Sequence, residues 1–411
     1  MSRRVAIIGS GLVGLWTARF CREAGFEVTV ISAGPRTSEG NAGMIVPSHF
    51  EPLAAPGMLA LGLKMLTNPA SPLGIRFFQE PGTVGWLWEF RKAATADHVR
   101  KVSPILSGLH MASRELYAKL AQTMDFGFRE EGLLMVCETD AQLAKERHVA
   151  ELAANYGQRT ALLSSELVGE RFGTEVRGVA GAVEFLDDAF LNPAQLLAHL
   201  EGDLRRGGVS FIDQQVNNLR FDTGAVVAAE TSQGEIEADE FVIAAGIGSS
   251  PLCQSFGLNL PLAAGKGYSL TFPERGRGMS ACALLAEARV AITPIGTDLR
   301  IAGTMELGNA DQVVNPRRVS GIERATKRVV PAWQDLTFET ERAWVGHRPV
   351  GPDGVPSIGR TRFTRNVTVA AGHGMMGVSL APITGHLIAN VLTGQMPAVP
   401  FDIMNPDRYA H

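Results

Sequence analysis

One hexapeptide constrains this chain more than any other feature. Gly9-Ser10-Gly11-Leu12-Val13-Gly14 stands between a β-branched run, Arg4 to Ile8, and a stretch of helical spacing, Leu12 to Ala24. Gly25 reads as the helix stop and Phe26 to Ile31 as a second strand, so the text predicts a βαβ unit with a glycine turn at a helix N-terminus. In such a turn the first glycine permits the tight bend and the second lets backbone N–H groups approach a pyrophosphate. The third allows close helix–strand packing. A glycine turn that binds nothing is the other reading, and the strand–motif–helix context disfavours it. The same fingerprint expects an acid at the end of the second strand to bond the ribose hydroxyls. Here Val28-Thr29-Val30-Ile31 ends in Ser32, a neutral group with a weaker hydrogen bond to offer. Arg36 nearby suits a 2′-phosphate, so this segment alone leaves a nicotinamide and a flavin dinucleotide both open.

The remaining text narrows the class. At about 150 residues per domain, 411 residues hold two to three domains with ample core. Lys plus Arg number 38 against 42 acids, so no basic face is implied and nucleic acid is not expected as a partner. Cys21, Cys137, Cys253 and Cys282 lie far apart without a Cys-x-x-Cys pair. That argues against a zinc ribbon, a thioredoxin motif or a secreted disulfide framework; no metal is expected, and a reducing, cytoplasmic compartment fits. Nothing reads as an export signal or as a spanning run of 18 apolar residues. From Pro47 to Glu89 repeated prolines mark an irregular excursion, within which Leu53 to Leu66 suits either peripheral contact with a membrane face or a buried cap.

Helix starts are signalled at Ser103-Pro104, Thr139-Asp140 and Asn192-Pro193, the last helix ending near Arg206. Short β-rich pieces between Val209 and Thr304 predict an antiparallel sheet. Val367 to Ala371 then leads through Gly372-His373-Gly374-Met375-Met376-Gly377 into a helix over Gly377 to Thr393. This second glycine turn either faces a ligand with free helix N–H groups or is a plain bend. The chain is thus expected to leave a nucleotide-binding sheet and come back to it.

Six blocks carry a resemblance from end to end: VAIIGSGLVG (5–14), GNAGMIVP (40–47), GKGYSL (265–270), RIAGT (300–304), GHRPVGPDGVPSIGR (346–360) and AAGHGMMGVSLAPITG (370–385). On these the chain resembles the FAD-dependent D-amino-acid dehydrogenases, within the wider family of D-amino-acid and glycine oxidases. Ser32 departs from the acid usual there. The resemblance implies an α/β (α+β) fold: a Rossmann-like FAD-binding domain (1–50, 190–255, 345–411) and a discontinuous substrate domain with an antiparallel sheet (51–189, 256–344). It implies FAD as cofactor and a D-amino acid as substrate, with a cyclic imino acid such as cis-4-hydroxy-D-proline as the close variant. A quinone or partner flavoprotein would accept the electrons, within a hetero-oligomer or on the inner face of the membrane. An NAD(P) dehydrogenase and a non-catalytic flavin-binding subunit are the competing classes.

The resemblance also assigns residues. Gly9, Ser10, Gly11, Leu12, Val13, Gly14 and Ser32 fall at the pyrophosphate and ribose. Asn41, Ala42, Gly43 and Met44 match the loop along the isoalloxazine, and Val216, Ala245 and Gly246 match contacts near the adenosine half. Gly372, Met375, Met376 and Gly377 match the C-terminal flavin turn. Arg348 matches the arginine that binds the substrate carboxylate, a role suited to a planar fork; a lone arginine otherwise suggests a salt bridge. Tyr268 is either aimed into the substrate cavity or a core tyrosine. His49 and His373 are read as touching substrate or flavin, or as structural histidines. Met305 and Met375 are pocket walls or core methionines. With the amine neutral, hydride transfer from Cα needs no general base, in keeping with the absence of a nucleophile arrangement.

Overall fold

The computed structural model describes residues 2–58, 60, 71–75, 82–395 and 401–410. The opening unit forms as expected. Strands β1 (Arg4–Ile8) and β2 (Glu27–Ile31) run parallel, Val5 opposite Val28 and Ile8 opposite Ile31, joined by helix α1 (Leu12–Glu23). All of β1 beyond Arg4 is buried, as a strand covered on both faces requires. The sheet around it runs Ser357–Arg360, Val367–Ala371, Glu240–Ile243, β1, β2, Ser210–Ile212. Every pairing is parallel except that of the outermost Ser357–Arg360 strand. Its strands come from the beginning, middle and end of the chain, which is the departure and return read from the sequence.

A second sheet of nine strands among the described residues carries three that matter for function. These are β3 (Ala263–Phe272), β4 (Asp298–Leu307) and β5 (Trp344–Val350), with β3 antiparallel to both. The expected domain boundary at 345 is therefore too early. Residues 344–350 pair with β3 from Ala263–Val350 to Ser269–Trp344, and the dinucleotide sheet resumes only at Ser357.

Two helix starts also move. The helix expected from Ser103-Pro104 is α2 (Ala96–Ala121), whose cap is Thr95, accepting from the His98 N–H at 3.2 Å; Pro104 lies inside it. One lost backbone bond is tolerated because Val102, Leu106, Leu109, Tyr117 and Leu120 bury its inner face. Helix α3 (Pro193–Arg206) is capped by Asn192 and ends where predicted. The C-terminal helix α4 (Ala381–Thr393) starts four residues later than expected, after a 3-10 turn over Gly374–Met376. Gly374 holds φ +55°, outside the α region, and Pro382 favours the first turn. Helix α4 crosses α1 so closely that a Cβ on Gly385 would lie 2.5 Å from the Trp16 carbonyl carbon.

Among the described residues no helix is long and apolar enough to cross a membrane. Much of the Leu53–Leu66 run, read as either a membrane contact or a buried cap, lies outside the described residues.

Candidate active site

Gly9 to Gly14, Ser32 and Ala245-Gly246 lie just beyond the carboxyl ends of neighbouring parallel strands, where open α/β sheets bind ligands. Gly9 holds φ +114°, and a Cβ there would sit 2.3 Å from the Ala244 carbonyl oxygen. A Cβ on Gly14 would come within 1.9 Å of the Gly9 oxygen, so the third glycine is needed for contact between helix and turn. The N-terminus of α1 has no side-chain cap of its own and no acid in its first turn, which leaves it suited to an anion. Ser38 reaches it, accepting from the Leu12 N–H at 3.3 Å. Gly246 (φ +59°) and Gly374 (φ +55°) face space with no atom within 4 Å of an added Cβ. Two glycine turns with open room above them and a helix end with no acid in its first turn fit a dinucleotide. Val216 is buried at the start of its strand, while Met375 is exposed.

The loop expected along the isoalloxazine is pinned from several sides. Asn41 Oδ1 accepts from the Gly43 N–H at 2.8 Å, and the Gly43 (φ +76°) carbonyl accepts from the Leu191 N–H at 2.8 Å. Met44 continues into a short two-stranded pairing with Phe190. From the second sheet, Arg300 donates to the Glu39 and Asn41 carbonyls at 2.9 and 2.8 Å, and Ser269 Oγ donates to the Gly40 carbonyl at 2.8 Å. The Trp344 ring lies where Cβ atoms on Gly40 and Gly346 would stand, 2.1 and 2.0 Å from them. The sheet of one half thereby grips the loop of the other.

Arg348 projects from the same face of that sheet. It pairs with Gly265 across β3, and its guanidinium lies over Gly267, 2.2 Å from where a Cβ would be. Nη1 donates to the Thr304 carbonyl at 2.9 Å. No carboxylate pairs with it among the described residues, and burial pushes its pKa down to about 10. A half-buried arginine without a counter-ion is costly unless something anionic arrives. Met305 shares this face with Val350 and packs with Trp86, Phe90 and Leu307 into an apolar wall.

Tyr268 stands on the opposite face. Strand alternation puts it with Lys266, and its hydroxyl donates to Glu306 while accepting from the Asn315 N–H at 3.2 Å. Of the two readings the sequence left open, it takes the place of a core tyrosine, bonded into a buried charged cluster on the face away from Arg348. His373 abuts Val350 by a backbone bridge, but its Nε2 is engaged by Thr384 Oγ1 at 2.9 Å. His49 Nδ1 bonds Ser48 Oγ at 3.0 Å, and Ser48 in turn donates to Asp188 at 2.6 Å. Both histidines are held below their usual range, to about 4, chiefly by burial.

These buried groups set the acid stability. The Val46 N–H donates to Ser379 Oγ, which shares a 2.7 Å hydrogen bond with His110 Nδ1, and burial holds the His110 pKa down at about 3, so the ring is neutral. Unfolded histidines titrate near 6.5, so the folded state binds fewer protons below that and stability falls as pH drops from 6.5 toward 4. Asp188 acts in reverse, since burial raises it to about 7 and protonation favours the fold. With His49, His110 and His373 opposing Asp188, moving from pH 6.5 to 5 is expected to cost about 3 kcal/mol. A urea midpoint that stays flat over this interval would refute it.

Sequence reading assigned chemistry to none of Ser38, Ser269, Arg300, Trp344 or Gly267. Gly267, Ser269 and Arg300 fall within the GKGYSL and RIAGT blocks without a role read for them, while nothing local marks Ser38 or Trp344.

Comparison with known proteins agrees with a dinucleotide-binding oxidoreductase. The family described as "FAD dependent oxidoreductase" matches residues 4–391, and the chain belongs to it. FAD is its cofactor. A D-amino acid dehydrogenase of Methylobacterium nodulans is 32% identical over 420 residues, covering 99% of each chain. One from Vibrio vulnificus is 28% identical over 409 residues, covering 97% of each. Among solved structures, glycine oxidase from Geobacillus kaustophilus superposes with a TM-score of 0.79 over the whole of both chains at 21% identity.

Proposed function

We propose that this enzyme oxidises D-amino acids to 2-oxo acids and ammonia, passing the electrons to an acceptor other than oxygen. Arg348 is the observation that carries this reading: a cation with no acid partner among the described residues, lodged on a glycine floor on the face that grips the flavin loop. A guanidinium fork there fixes a carboxylate by two parallel hydrogen bonds and so aims its Cα. FAD, held by the Gly9–Gly14 turn and the Asn41–Met44 loop, would supply a two-electron acceptor for the hydrogen leaving Cα. The chain's own task is to place and desolvate the substrate. Met305 and Val350 offer an apolar wall beside the carboxylate anchor, which also suits a cyclic imino acid. Neutral, hydrogen-bonded His49 and His373 are not needed as bases, because the substrate amine enters unprotonated. The relatives named D-amino acid dehydrogenase support the substrate class.

Anaerobic mixing with a panel of D-amino acids, L-enantiomers and cis-4-hydroxy-D-proline tests this. Bleaching of the flavin band by D-substrates is expected, with slow return in air and fast return with a quinone analogue. A band indifferent to every carboxylate amine would refute the reading.

A further inference from the structure

We infer that Glu201, carried on α3, supplies to the adenosine ribose the carboxylate that the glycine-turn fingerprint places at the end of β2. That position is Ser32, and it lacks the charge for a strong bond to a ribose hydroxyl. The Gly9 N–H bonds the Ile31 carbonyl at 2.9 Å, which sets Ser10 beside Ser32 at the mouth of the turn. Arg36 Nε donates to Ser10 Oγ at 3.0 Å, and the other end of the same guanidinium is ion-paired to Glu201. The carboxylate therefore lies one guanidinium away from the second residue of the motif, brought there from 165 positions along the chain.

Glu201 is equipped for the role. Burial opposes its ionisation, but Arg36 and Arg205 outweigh burial and hold its pKa below the usual glutamate value. Its side chain is 20% exposed, and the Arg36 side chain 21%, so the pair is sheltered while still within reach of a ligand. A carboxylate has about four acceptor directions, and the two arginines leave some of them for a hydroxyl. The pairing also answers the question that Arg36 raised. An arginine already neutralised by an acid is a poor site for a 2′-phosphate, and the acid repels one. The pair thus selects unphosphorylated adenosine, as FAD carries, with Arg36 as the positioning residue.

The test is titration of flavin-stripped protein, read by quenching of flavin fluorescence. Glu201→Gln is expected to weaken FAD about tenfold or more and leave FMN, which has no adenosine, unchanged. In competition with FAD, wild-type protein should prefer ADP to 2′-deoxy-ADP, and the variant should lose that preference. Adding Ser32→Glu to the variant should restore FAD affinity. Unchanged FAD affinity, a parallel loss of FMN, a preference for ADP that survives, or no recovery with Ser32→Glu would each overturn the assignment.

Discussion

Arg348→Ala is expected to lower kcat/KM for D-amino acids by roughly 10² to 10³-fold, the usual cost of deleting one partner of a sheltered charge pair. The flavin should stay bound. Arg348 touches the Thr304 carbonyl and Gly267 but none of the residues at the dinucleotide turn. The absorbance ratio of flavin to protein should therefore match the wild type, and a variant purified colourless would place Arg348 in cofactor binding. Arg348→Lys keeps a charge and loses the fork, so its loss should be intermediate and should fall mainly on KM. Gly267→Ala gives an independent check, because its Cβ would occupy the guanidinium's seat at 2.2 Å. It should mimic Arg348→Ala without altering any charge. Wild-type kinetics in both variants would remove this face of the sheet from the substrate site.

What could be read in advance divides along the range of the interaction. The glycine turn, α1 and β2 were legible because bend, cap and packing are set by residues within a few positions of one another. Asn192 announced α3, and Thr139 the helix over Asp140–Asn155 that it caps, for the same reason. Thr95 did not, since its capping bond gives the sequence no mark stronger than the Ser103-Pro104 pair inside the same helix. Tyr268 shows a different limit. Alternation along β3 separates two faces, but only pairing with β5 decides that Gly265 and Gly267 lie under Arg348 while Tyr268 faces Glu306. The Arg36–Glu201 pair and the Trp344 ring between Gly40 and Gly346 depend on residues brought together from distant segments, and neither end of such a contact carries a local signal.

Gly14→Ala should yield protein that no longer retains FAD. The added carbon would stand 1.9 Å from the Gly9 oxygen and 3.0 Å from its carbonyl carbon, both backbone atoms that cannot swing aside. Either α1 moves away from the turn or the turn opens, and in both cases the N–H groups at the helix end lose their common aim. Overpacking of this kind costs about 1–3 kcal/mol by itself. Loss of a ligand held at 1,000 times its Kd removes about 4 kcal/mol more, so the melting temperature should fall by many degrees and stop responding to added FAD. Gly108→Ala is the matched control. Gly108 lies inside α2 with nothing within 4 Å of an added Cβ, so the same change should stabilise by about 0.5–1 kcal/mol and leave the flavin in place. A yellow Gly14→Ala protein with unaltered melting would mean that the turn has slack the structure does not show, and that the pyrophosphate is held elsewhere.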